Sequence, residues 1–155
     1  MKIFNTSPTA IGYLPMLFIL LSFSNLSAQQ LAFPTAKGAG AYASGGRGGQ
    51  VIHVTTLNWD GPGSLKEAIT TSGPRIIVFD VSGEIDATAM GDYETLISGS
   101  EYGNLTIAGQ TAPNGGITIK TSFFLLNEVD NVILRFLRFR NNSSHPNSDA
   151  IWLLG

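Results

Sequence analysis

Four short segments rich in β-branched residues, Arg75-Ile76-Ile77-Val78-Phe79, Asn104-Leu105-Thr106-Ile107, Gly116-Ile117-Thr118-Ile119-Lys120 and Asn131-Val132-Ile133-Leu134-Arg135, are set apart by turns of glycine, asparagine and proline. Runs of this length and type suit a pleated strand, and the residues between them break helices. The apolar clusters begin at Ile76, Leu105, Val132 and Ile151, so their spacing shortens along the chain. Uneven spacing accommodates one coil per repeat of a solenoid without a tight sequence repeat.

The stretch from Val132 to Arg140 says more about architecture. Val132 and Leu134 share one parity, whereas Leu137 and Phe139 share the other. Successive side chains of a strand point to opposite faces, so one flat strand cannot turn both pairs inward. A bend near Arg135-Phe136 can, and it leaves Arg138 and Arg140 pointing outward. Coils of bent strands around one core fit this pattern. A β-sandwich is the alternative, because short strands with Gly/Pro turns also characterise it. Antiparallel pairing would mark the sandwich.

The N-terminus has the three regions of a secretory signal peptide: Lys2, the apolar stretch Ile11 to Phe23, and the small and polar residues Ser24 to Gln29. Cleavage is expected after Ala28, with an uncleaved anchor as the alternative. The apolar stretch is short for a stable membrane span of about 20 residues. This organises the chain as signal peptide 1–28, glycine-rich loop 29–50 and incomplete β domain 51–155, exported from the cytoplasm. There is no cysteine, so strand ladders and core packing must supply stability without disulfides. The net charge of −2 leaves no basic footprint for nucleic acid. An acidic partner would have to be held by local cations or a bound metal.

Lys37 to Gly49 is too rich in glycine for a regular element, and Gly38-x-Gly40-x-x-Ala43 lacks the flanking strand and helix of a dinucleotide site. The one clear helix signal is Gly63 to Thr70, where Ser64 and Glu67 have capping-box spacing, Leu65, Ala68 and Ile69 share a face, and Gly73-Pro74 stops the helix. A short helix between two strands can cover the exposed end of a solenoid. At the other end, Ile151-Trp152-Leu153-Leu154 is strongly apolar with no cap in sight, so further chain or a partner associating with this open coil is expected to cover it.

Three segments, Gly45-Gly46-Arg47-Gly48-Gly49-Gln50-Val51-Ile52-His53-Val54-Thr55, Gly61-Pro62-Gly63-Ser64-Leu65-Lys66-Glu67-Ala68-Ile69 and Ala108-Gly109-Gln110-Thr111-Ala112-Pro113, occur in the order and spacing found in secreted pectate lyases. From Phe33 to Gly155 the chain resembles the N-terminal portion of that family. The resemblance implies an all-β, right-handed parallel β-helix with a short N-terminal capping helix, here truncated at its C-terminal end. It also implies cleavage of de-esterified pectin, an acidic polysaccharide of plant cell walls, by Ca²⁺-assisted β-elimination.

In this family an Asp-x-Asp pair ahead of an aliphatic strand supplies oxygen ligands to Ca²⁺. By that resemblance Asp149 matches the second acid and Asn147 stands in place of the first. Asn keeps an oxygen donor but removes a charge, which weakens a calcium site. An Asp at a strand start also serves simply to hold its own turn. The resemblance places the catalytic arginine and the remaining acidic ligands beyond Gly155, so no residue here takes the catalytic role and the 155-residue chain is expected to be inactive alone. Arg138 and Arg140 are the candidates for binding uronate carboxylates through bidentate contacts, against the plainer reading of solvated or ion-paired side chains.

Arg47 is expected to stabilise the first coil, Ser64 to cap the helix, and Asn131 to join a stacked side-chain ladder. His53 reads as a packed or surface residue, whereas His145 lies in the polar loop near Asp149. Trp59, Tyr42, Tyr93 and Tyr102 are possible sugar platforms, with packing as the commoner use of isolated aromatics. Two other functions remain open: a non-catalytic carbohydrate-binding β-helix, and a polygalacturonate hydrolase needing clustered acids among Asp80, Glu84, Asp86, Asp92 and Glu94.

Overall fold

The structure, a computed structural model, describes residues 29–88, 97–121, 124–141 and 150–154. Among the described residues ten strands follow one another: β1 Gln50–Val54, β2 Arg75–Phe79, β3 Gly83–Asp86, β4 Ile97–Ser98, β5 Leu105–Ala108, β6 Ile117–Thr121, β7 Phe124–Asn127, β8 Val132–Arg135, β9 Leu137–Asn141 and β10 Ile151–Leu154. They form three sheets ordered β1-β2-β5-β8, β3-β6-β9 and β4-β7-β10. From β2 onward the chain visits the three sheets in the same rotation three times. Every pairing between the described strands is parallel. That excludes the sandwich of antiparallel strands for this region.

Parallel pairing without register slip stacks like on like. Ile52, Ile77, Ile107 and Leu134 are successive partners across the first sheet. Ile85, Ile119 and Phe139 do the same across the second, and Ile97 aligns with Leu126 and Leu153 across the third. Apart from Leu153, these inward ladders merge into a single core with Val54, Phe79, Leu105, Ile117 and Phe124. Each fully buried aliphatic side chain contributes on the order of 2 kcal/mol.

The expected bend is present. β8 ends at Arg135, Phe136 takes a left-handed φ of 54°, and β9 starts at Leu137. Val132, Leu134, Leu137 and Phe139 all pack on the core, whereas Arg138 and Arg140 are exposed. Asn104 and Asn131 also have positive φ, which Asn tolerates better than most residues. Asn131 Nδ2 donates to Asn104 Oδ1 at 2.6 Å and to Ser44 Oγ at 2.7 Å, so the asparagine ladder links two turns to the glycine-rich loop.

The helix α1, Leu65–Ile69, is capped as its sequence requires: Ser64 Oγ accepts from Glu67 N at 3.1 Å. Glu67 Oε2 reaches back to Gly63 N at 2.7 Å, one residue ahead of the usual capping-box partner. Leu65, Ala68 and Ile69 are buried and join the core beside Val54 of β1.

Arg75 faces inward at the start of β2 and is fully buried. Its guanidinium donates to the carbonyls of Ala68 and Ile69 at the helix end, at 3.2 and 2.6 Å, and to Gly73 at 2.9 Å. It also reaches Tyr102 and Gly103 on the next turn, at 3.2 and 3.3 Å. Burial pushes its pKa down from the usual arginine value, with a smaller opposing effect from Tyr102. The carbonyls of the helix C-terminus carry partial negative charge and complement the cation.

Above Arg75 sits the glycine-rich loop. A Cβ on Gly46 would lie 1.8 Å from Arg75 O, and one on Gly49 2.0 Å from Pro74 O, so only glycine lets the loop lie on the sheet. Gly46 N donates to Thr106 Oγ1 at 3.0 Å and Gly45 N to Asn131 Oδ1 at 2.9 Å.

β8, β9 and β10 each close the described order of their sheets. Beside them Leu126, Val129, Val132, Leu134, Ile151 and Leu153 border an apolar cavity of about 560 Å³. Leu153 is 70% exposed, unlike the stacked residues it follows.

Replacing Arg75 with Met leaves carbonyls of two turns and a helix end without a donor. The variant is expected to lose about 3 kcal/mol or more of stability in urea unfolding; an unchanged midpoint would show that the guanidinium is dispensable. Gly46→Ala is expected to lower the melting temperature clearly, whereas Gly40→Ala, with open space around the added methyl, is expected to stay near the parent. Equal effects would contradict the close approach.

Candidate functional site

Charged side chains concentrate on the outer face of the β3-β6-β9 sheet. Alternation along β3 turns Glu84 and Asp86 outward around buried Ile85. Register then aligns Glu84 with Thr118 and Arg138, and Asp86 with Lys120 and Arg140. Neighbouring strands lie about 4.8 Å apart, so these six residues form two short outward rows.

Within the rows, Lys120 Nζ donates to Asp86 Oδ2 at 2.9 Å. Asp86 Oδ1 also accepts from Thr88 Oγ1 at 2.6 Å and Thr88 N at 3.0 Å. The Thr88 hydroxyl, Lys120 and the Thr88 N–H together hold the Asp86 carboxyl at a pKa of about 2. Lys120 is raised in turn, chiefly by its hydrogen bond to Asp86. Arg138 Nε donates to Thr118 Oγ1 at 2.9 Å, and its Nη2 to Gly115 O. Arg138 is thus oriented by the preceding coil, while Arg140 stands exposed next to Lys120.

Of the residues singled out in the sequence, Arg138 and Arg140 come together on β9. Asn147 and Asp149, the expected metal ligands, lie outside the described residues, as do His145, Tyr93, Asp92 and Glu94. Among the described residues no group of three or more His, Asp or Glu converges where a metal could sit. The nearest oxygen donors on this face do not fit Ca²⁺: Asp86 is already held by Lys120 and Thr88, and Glu84 aligns with Thr118 and Arg138 rather than with a second acid.

Other candidates resolve into structural roles. His53 Nδ1 lies 2.9 Å from Asp80 Oδ1 on the surface. Arg47 donates to Leu31 O at 2.9 Å, tying the N-terminal segment to the loop as expected for a residue that stabilises the first coil. Trp59 is buried in the core, Tyr102 packs against it, and Tyr42 is half exposed. Sequence reasoning missed Arg75 altogether; an arginine at an inward parity position among Ile77 and Phe79 was the available signal.

No protein-family profile matches the chain. Seven curated relatives do, each named probable pectate lyase C, and three of them illustrate the match. The one from Aspergillus flavus is 39% identical over 126 residues, which is 81% of this chain and 28% of that protein. The one from Neosartorya fischeri is 40% identical over the same shares, and the one from Emericella nidulans is 40% identical over 124 residues, 80% of this chain and 27% of its own length. The chain therefore spans little more than a quarter of the curated relatives it matches.

Because the Asp86 pKa is lowered on folding, the carboxylate stabilises the fold above the ordinary carboxylate value of roughly 3.9, and that contribution fades as pH falls towards 2. Asp86→Asn is expected to cost below about 1 kcal/mol at pH 7, since the pair is exposed to solvent, and the gap to the parent should close in acid. A gap that is constant with pH would refute the ion-paired role.

Proposed function

We propose, from a pectate lyase family relationship extending over about four fifths of the chain, that these residues build the opening coils of a right-handed parallel β-helix in a secreted polysaccharide lyase. The observation carrying this reading is the identity of about 40% with probable pectate lyases. The repeated rotation through three parallel sheets supports it independently. In this reading α1 caps the N-terminal end, and further coils or an associating chain pack on the apolar face beside β8, β9 and β10. No helix among the described residues is long and apolar enough to cross a membrane.

The reaction proposed for the complete protein is cleavage of de-esterified pectin by β-elimination. A base removes the proton at C5 of a galacturonate unit, and a C4–C5 double bond forms as the bond from C4 to the glycosidic oxygen breaks. That oxygen takes a proton from water as the new reducing end, leaving an unsaturated uronide on the other fragment. Ca²⁺ would draw charge from the neighbouring carboxylate and so acidify that proton. Asp149 and Asn147 are the proposed metal ligands on this chain. Arg138 and Arg140 are proposed to hold substrate carboxylates, with Arg138 kept in place by Thr118 and Gly115. No described residue is assigned the catalytic role.

The complete protein is expected to release ultraviolet-absorbing uronide from polygalacturonate, and a calcium chelator should abolish the signal. Asp149→Ala should raise the Ca²⁺ concentration needed for half activity, and Arg138→Ala together with Arg140→Ala should raise KM about tenfold with a smaller change in kcat. Chelator-resistant product would refute the metal-assisted reading, and an unchanged KM would remove the two arginines from the site.

A further inference from the structure

A second concave surface lies on the outer face of the β1-β2-β5-β8 sheet, away from Arg138 and Arg140. Ile76, Thr106 and Ile133 form its floor, and Arg47, Arg135 and Gln110 stand around it, enclosing about 240 Å³. The pocket opens to solvent and is large enough to seat a sugar ring. No carboxylate lines it among the described residues. Neither arginine takes part in an ion pair among those residues.

Both arginines are held by the same short segment. Arg47 Nη2 donates to Leu31 O at 2.9 Å, and the Arg135 guanidinium lies 4.0 Å from the centre of the Phe33 ring. Stacking uses the face of a guanidinium and leaves its in-plane N–H donors for an acceptor. The glycine loop completes the arrangement: Gly45, Gly46 and Gly49 press on Thr106, Arg75 and Pro74, and so present Arg47 at the rim. In a chain of net charge −2, two such cations without acids beside them form a local site for an anion.

We propose that this pocket binds one uronate unit of an acidic polysaccharide, its carboxylate taken by Arg47 and Arg135 and its hydroxyls by Gln110 and Thr106. Thr106 Oγ1 already accepts from Gly46 N and keeps its own proton to donate. The choice of a uronate rests on the function proposed above; the recognition of a carboxylate rests on the pocket alone. The proposed role is to hold the polymer.

The test is a titration of the full chain with galacturonate, followed through the backbone amides of Gly45, Arg47 and Thr106 by nuclear magnetic resonance, with neutral galactose as the comparison. Saturable shifts from galacturonate alone are expected. Gln110→Glu, which touches neither arginine anchor, and Arg47→Lys, which keeps the charge but loses the fork, are each expected to weaken binding about tenfold. Equal shifts from galactose, shifts that never saturate, or parental affinity in both variants would overturn the site. Uronate binding by this chain with no cleavage by the complete protein would overturn the lyase reading alone; cleavage without binding here would overturn this site alone.

Discussion

A buried guanidinium holds the first coils together. Arg75 joins the end of α1, its own turn and the turn at Tyr102 and Gly103 through backbone carbonyls, with no buried carboxylate among its hydrogen-bond partners. An uncompensated buried charge is costly, but here several carbonyl dipoles and a helix C-terminus replace the lost water. Because Gly46 rests directly on the Arg75 carbonyl, the same residue sets the seat of the glycine loop. Helix, loop and second coil are therefore coupled at one point.

Parallel register then carries that order outward. Once β2 is placed, β5 and β8 align on it residue by residue, and the turns at Asn104 and Asn131 repeat with their side chains hydrogen-bonded. The inward rows become an aliphatic core. The outward rows become surfaces whose chemistry differs from sheet to sheet: acids and cations interleave on β3-β6-β9, while the β2-β5-β8 face collects two arginines without acids.

Much of this was legible in the sequence, for physical reasons. The parity switch between Leu134 and Leu137 required a bend, and Phe136 supplies it. Ser64 and Glu67 marked the helix start because spacing alone decides a cap. Asn131 was readable as a ladder member because it opens a strand at a turn of the expected β-helix. Strands β3, β4 and β7 were less legible: Gly83–Asp86 contains one buried apolar residue, and Ile97–Ser98 has only two residues, so neither shows a period. Arg75 was hidden because a charged residue at a strand end reads as solvated until the helix end just before it and the turn 27 residues later fold beside it. Asn147 and Asp149 were marked by family resemblance, with their shared parity on an extended segment as the one supporting feature of spacing.

The central claim is that the complete protein cuts an acidic polysaccharide by elimination. The most direct measurement is mass spectrometry of the fragments released from polygalacturonate in oxygen-labelled water. Elimination adds no water, so fragments lacking the mass of one water and carrying no label are the result this account predicts. Labelled, saturated fragments would mean hydrolysis and would contradict it.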